Sequence, residues 1–159
     1  RLYVKIHNID TSKGSLKGYA PGIMMINTST TQVIEIAKDG KTARGVWISP
    51  GLETTPNAEG KMQAYWIWCK LGVDFVKEDG EWKIWHYHVY GLLNTPYEKS
   101  WTEGAKMSPL VDRPATLPDE LKPDRPTTHP CWWYSPSAVN DPIPIPPEPY
   151  ETFDEKNAY

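Results

Sequence analysis

Apolar and polar residues alternate with a period of two from Gly22 to about Leu93, the pattern of half-buried strands. Ile23–Asn27 and Gln32–Ala37 read as short strands, the second ending at the turn Lys38-Asp39-Gly40-Lys41. Lys41–Ser49 reads as a strand stopped by Pro50-Gly51, because proline gives no N–H to a ladder. Leu52–Gly60 is polar and reads as a loop. Lys61–Val76 forms one long strand, with room for a bend at Gly72, and Glu81–Leu93 forms its partner. Asp79-Gly80 between them is a strong hairpin signal. Helical periodicity is nearly absent. Glu98–Lys106 and Pro118–Leu121 are expected as short helices, Leu2–Ile9 as a short strand or helix end, and Thr11–Gly18 as a loop. Short turns between successive strands predict a mainly antiparallel, strongly curved sheet.

The pattern breaks after Met107. Twelve of the 16 prolines fall between Pro109 and Pro149, a density that forbids helix and central strand and favours extended chain. A disordered tail is one reading. Trp132, Trp133, Tyr134, Ile143, Ile145, Tyr150 and Phe153 favour another, an ordered arm on the sheet or on a neighbouring subunit. The expected organisation is therefore a domain over residues 1–106 and an extended Pro-rich arm over 107–159.

With 159 residues the chain supports one domain with a core. Eight Trp and nine Tyr against two Phe give it aromatic surfaces with polar handles, suited to wet pockets and interfaces or simply to strands. The net charge is -3 and the basic residues are scattered, so no stripe exists to neutralise phosphates and nucleic acid is excluded as the expected partner. No apolar run reaches the length of a membrane span, and no signal peptide is evident. Cys69 lies in a strand and Cys131 in the tail, which makes neither a disulfide framework nor a metal knuckle and suits a reducing cytoplasm.

The candidate chemistry sits in Gly72–Tyr90. In an unbroken strand His86 and His88 share a face with Trp82, Ile84 and Tyr90. What faces them depends on the turn. A two-residue turn pairs Glu78 with Glu81 and puts Val73 and Phe75 on the His86 face. A three-residue loop pairs Lys77 with Glu81, and then Asp74 faces Ile84, Gly72 faces His86 and Lys70 faces His88.

Val-Asp-Phe-Val at 73–76, the turn, and Trp-Lys-Ile at 82–84 resemble the closing hairpin of the nuclear transport factor two-like superfamily, and more narrowly its polyketide-cyclase (SnoaL-like) branch. Gly22–Asn27 and Ile34–Trp47 resemble that branch's first core strands. The resemblance implies an α+β fold whose curved sheet forms a cone. It implies that Asp74 matches the inward oxyanion-hole Asp of related steroid isomerases. It also exposes two departures. Asn27 stands near a position where the branch often has His, and the N-terminal helices that close the cone are expected to be missing, reduced or supplied by another chain.

On that footing Asp74, His86 and His88 are the expected catalytic residues, with His86 as base and Asp74 or Tyr90 donating to a developing oxyanion. Trp47, Trp66, Trp68, Lys70, Tyr90 and Asn27 are the expected substrate-binding residues. The plain alternative makes the histidines satisfied core residues and Asp74 a salt-bridge partner. A His-x-His metal pair is the second reading, but it needs a third and usually a fourth ligand and only Asp74 or Glu residues are on offer, so no metal and no cofactor is expected. The expected function is a cofactor-independent lyase, dehydratase or isomerase acting on a hydrophobic aromatic or polycyclic small molecule. The alternative is a non-catalytic binding or assembly domain of the same fold. A homo-oligomer with the arm at its interface, in the cytoplasm, completes the expectation.

Overall fold

The computed structural model describes residues 21–57, 59–103, 133–140 and 143–159. Five strands form one antiparallel sheet: β1 (Met24–Asn27), β2 (Thr30–Ile36), β3 (Thr42–Pro56), β4 (Met62–Glu78) and β5 (Glu81–Pro96). β1 and β2 lie end to end along one side of β3, and the order continues β3, β4, β5. Among the described residues β5 pairs only with β4, so their sheet is not closed into a barrel. This matches the predicted antiparallel β architecture. No helix among the described residues is long and apolar enough to cross a membrane.

Three sequence expectations change. β3 does not stop at Pro50 but runs on through Gly51 to Pro56. Pro50 falls where β1 ends and β2 begins, so its missing N–H removes little from the ladder, and its carbonyl accepts from Thr28 N at 3.1 Å. Leu52–Pro56, read as loop, is held as strand by β1 on one side and β4 on the other. Within Glu98–Lys106 the described residues form only a 3₁₀ turn at Trp101–Glu103. The expectations for Leu2–Ile9, Thr11–Gly18 and Pro118–Leu121 lie outside the described residues.

Side-chain parity then sorts the sheet into two faces. The front face carries Arg44 and Val46 of β3, Lys70, Gly72 and Asp74 of β4, and His86, His88 and Tyr90 of β5. The back face carries Ala43, Gly45, Trp47, Ser49 and Glu53, then Ile67, Cys69, Leu71, Val73 and Phe75, then Ile84, Tyr87 and Val89. Ala43, Val46, Cys69, Leu71, Val73 and Tyr90 are the buried apolar side chains of this central region. Towards the hairpin turn the back face stays exposed, with Ile84 at 61% and Tyr87 at 56%.

The turn combines features of both registers considered from sequence. Glu78 pairs with Glu81 across Asp79-Gly80, whose φ values of 51° and 82° are those of a type I′ turn. Phe75 pairs with Ile84, yet Asp74 pairs with His86, so Trp85 is an extra residue in β5. This bulge reverses the parity. Trp82 and Ile84, expected beside the histidines, align with the other face, and Asp74 comes opposite His86. A second irregularity at Leu92 separates the pairs Cys69–Gly91 and Trp68–Leu93.

Residues 143–159 lie against the front face. Lys38 N donates to Tyr150 O at 3.0 Å, Asp39 N to Glu151 O at 3.2 Å, and Thr152 Oγ1 to Asp39 Oδ2 at 2.8 Å. Tyr159 packs on Gly72, where an added Cβ would come within 2.9 Å of the tyrosine side chain and 3.0 Å of the Tyr90 ring. Gly72→Ala is therefore expected to displace Tyr159 and cost about 1–3 kcal/mol. Thermal melts together with limited proteolysis of residues 143–159 check this. Unchanged protection of that segment would show that the contact does not hold it.

Candidate functional site

Asp74 is the centre of the front face and is fully buried. Its Oδ2 accepts from the backbone N of Tyr159 at 2.9 Å and lies 3.0 Å from His86 Nδ1. Its Oδ1 is 3.5 Å from Arg44 Nε, an ion pair too long and poorly aligned for a hydrogen bond. The Arg44 guanidinium lies 4.7 Å from the Tyr159 ring centroid and 5.7 Å from that of Tyr150, within cation–π range of both.

His86 differs from its partner in exposure, with a side chain 40% accessible. Its ring stacks on Trp85 with centroids 4.6 Å apart, and Phe153 packs on the same indole at a tilt of 42°, centroids 4.5 Å apart. His88 stacks on Tyr90 at 4.2 Å. Burial, with the Asp74 charge adding to it, pushes the Tyr90 hydroxyl up to about 12 against the opposing pull of Arg44. Burial does the same to Tyr159, also to about 12. Both hydroxyls keep their protons at neutral pH, and that of Tyr159 donates to Ile145 O at 2.7 Å.

Cavities border the sheet among the described residues. One of about 530 Å³ lies mainly on the back face, between Ser49 and Glu53 of β3, Cys69 and Leu71 of β4, and Val89 and Asn94 of β5. Met25 and Asn27 of β1 and the indole of Trp133 complete its wall, and Trp133 occupies the space above Gly91. A second, about 450 Å³, separates Arg44 and Tyr90 from residues 143–150 and 156–159. A third, about 590 Å³, is almost wholly apolar and lies among Trp66, Trp68, Leu93, Trp101 and Tyr134.

Residues 9–88, just over half of the chain, match the SnoaL-like domain. The chain belongs to this family. The family is part of the nuclear transport factor two-like superfamily, so the resemblance read from the hairpin and first core strands is borne out. A search of curated proteins finds no significant match.

In this SnoaL-like domain the expected site residues divide between two faces. Asp74, His86, His88, Tyr90 and Lys70 share the front, with Lys70 opposite Tyr90. Trp66 and Trp68 lie farther along, around the apolar third cavity, and Trp68 also borders the first. Trp47 is on the back, edge-to-face with Phe75 at 6.2 Å, and Asn27 lines the first cavity. Trp47 therefore does not roof the Asp74–His86 pair.

Arg44, Tyr150 and Tyr159 were not foreseen beside Asp74, nor Glu53 and Asn94 in the first cavity. Strand parity with Asp74 could have found Arg44. Glu53 was hidden because its strand was read as loop. Among the described residues, no group of three or more His, Cys, Asp or Glu side chains could hold a metal ion.

Chemically the front cluster can do two things. The carboxylate can fix His86 with Nδ1–H towards it, leaving Nε2 as the basic nitrogen. It also anchors residue 159 to the sheet. Asp74→Ala removes the shared acceptor and leaves Arg44 and the Tyr159 N–H uncompensated, an expected loss of about 3 kcal/mol. Urea unfolding measures this. A loss below about 0.5 kcal/mol would mean that the network contributes little to the fold.

Proposed function

We propose that this SnoaL-like domain accommodates a hydrophobic aromatic or polycyclic small molecule in the 530 Å³ back-face cavity. The cavity carries the reading. Its volume is in the range of small-molecule sites, its walls are mostly apolar, and a few buried polar groups from several strands converge on it. Family membership supports small-molecule isomerase or cyclase chemistry in the same direction.

The catalytic form of the reading is a cofactor-independent lyase, dehydratase or isomerase, with His86 as candidate base and Asp74 as its orienting partner beside His88 and Tyr90. It requires its substrate on the front face, because the pair lies across the sheet from the back-face cavity. The 3.0 Å contact supports this assignment, because an imidazole tied at Nδ1 presents Nε2 for proton transfer. A second reading is a non-catalytic binding domain in which Asp74 and His86 serve only as a clamp. It is favoured by the Tyr159 N–H on the same carboxylate oxygen and by the position of the pair on the face opposite the first cavity.

The readings separate experimentally. A panel of aromatic ketones and secondary alcohols is screened for turnover, with EDTA present throughout. If the pair is catalytic, His86→Ala and Asp74→Asn each lower kcat at least about 100-fold while ligand affinity holds. If it is a clamp, both variants lose stability and keep the activity or affinity of the folded fraction. Val89→Trp, which fills the cavity from a half-exposed position, blocks binding in that cavity under either reading. Undiminished binding in Val89→Trp would refute the cavity as the ligand compartment.

A further inference from the structure

Among the polar side chains that line the first cavity are two of different hydrogen-bonding character on residues with little exposure. Glu53 of β3 is 7% exposed and Asn94 of β5 is 4% exposed. Both line the cavity, and both stand on the back face, opposite Tyr65 and Ile67 of β4 respectively. One strand lies between them and they are offset by two residues, so their Cα atoms are about 12 Å apart by ordinary sheet spacings. Side chains reaching inward from both sides leave a span for one or two fused rings.

Glu53 acts electrostatically at this position. Its charge contributes, after burial, to raising the hydroxyl of Tyr65 directly across the ladder. A carboxylate has about four acceptor sites and no donor, so the interaction it already makes leaves capacity for a ligand. Asn94 offers the reverse polarity as well, because its amide nitrogen can donate two hydrogen bonds. Among the described residues no side-chain hydrogen bond is formed by Asn94, and its amide is not among the side-chain groups sealed from water, so it is open to a ligand in the cavity it lines.

We infer that Glu53 and Asn94 set the ligand class of this cavity, selecting a neutral hydroxyaryl ketone or amide whose hydroxyl donates to Glu53 and whose carbonyl accepts from Asn94. The inference rests on the cavity being the ligand compartment and adds which compounds it takes. A charge-assisted hydrogen bond from a phenol to a buried carboxylate is stronger than a neutral one. An aryl carboxylate meets like charge in an apolar enclosure and is rejected. A ligand with no donor gains nothing from the acceptor sites the carboxylate still offers.

Equilibrium dialysis at slightly acid pH, where the phenol keeps its proton, tests this with four probes: 6-hydroxy-2-acetylnaphthalene, its 6-methoxy analogue, 2-naphthol and 6-hydroxy-2-naphthoate. The hydroxy ketone is expected to bind about tenfold more tightly than the methoxy analogue, and the naphthoate most weakly. Glu53→Gln should erase the preference for hydroxyl over methoxyl and admit the naphthoate. Asn94→Leu should erase the preference for the hydroxy ketone over 2-naphthol. Equal affinity of the hydroxy and methoxy ketones for the unaltered protein overturns the inference, as does a preference that survives Glu53→Gln. If the variants fail to fold, the ranking on the unaltered protein decides alone. Absence of binding by all four probes overturns the compartment itself, an outcome distinct from binding without discrimination.

Discussion

Between Ile84 and His86 the β4–β5 ladder takes in one extra residue, and because side chains alternate with a period of two, everything beyond that point changes face. Without Trp85 in the bulge the I′ turn would align His86 with Val73. With it, Asp74 stands across from His86, Gly72 from His88 and Lys70 from Tyr90. The polar side chains of two strands are thereby collected on one face, while Val73, Leu71, Tyr87 and Val89 are collected on the other. The bulged residue is also used directly, since His86 stacks on its indole and Phe153 packs against the same ring at a tilt. One inserted position thus separates a hydrogen-bonded face from an apolar one.

The front face depends in turn on a buried charge. An ionised carboxylate with no access to water is tolerated only when its surroundings supply donors and opposite charge. Asp74 obtains one donor from the sheet through His86, one from the far end of the chain through Tyr159 N, and charge from Arg44. The sources are 85 residues apart in sequence between Asp74 and Tyr159, so satisfying this group requires the C-terminal segment to be in place. Gly72 makes room for that approach, and the aromatic rings of Tyr150 and Tyr159 close over the guanidinium. Such a network specifies a docked position more sharply than apolar contact does, because a small shift leaves buried groups unpaired.

Much of this was legible in the sequence, but unevenly. The alternation gave the strands and the Asp-Gly turn gave the hairpin, since both are local consequences of backbone geometry. One of the two registers put Asp74 on the histidine face, but opposite Ile84 rather than His86, and the actual arrangement joined the turn of the other register to that face. A bulge has no reliable local signature: Trp85 looks like any strand aromatic until its neighbours are paired. The end of β3 was missed for a related reason. Pro50 breaks a strand that needs its N–H, and only the change of partner from β2 to β1 makes that N–H dispensable. Glu53 and Asn94 were invisible because burial of a polar residue is a tertiary fact. In sequence each reads as an ordinary exposed polar position.

The two faces make different demands on their ionisable groups, and this bears on where chemistry belongs. On the front, donors and charges answer Asp74 from several directions, so the carboxylate is stabilised before any ligand arrives, and a ligand would have to compete with Tyr159 and Arg44 for it. On the back, Asn94 is buried in an apolar enclosure without a hydrogen-bonding partner among the described side chains, and Glu53 shares that enclosure. Pre-satisfied groups give rigidity and leave little binding energy to be gained. An amide at a cavity wall whose hydrogen bonds are not taken up by other described side chains is the reverse, because a ligand can pair with it without displacing a protein partner. Selectivity for a small molecule therefore arises more readily on the back face, even though the residue types familiar from acid–base catalysis are concentrated on the front.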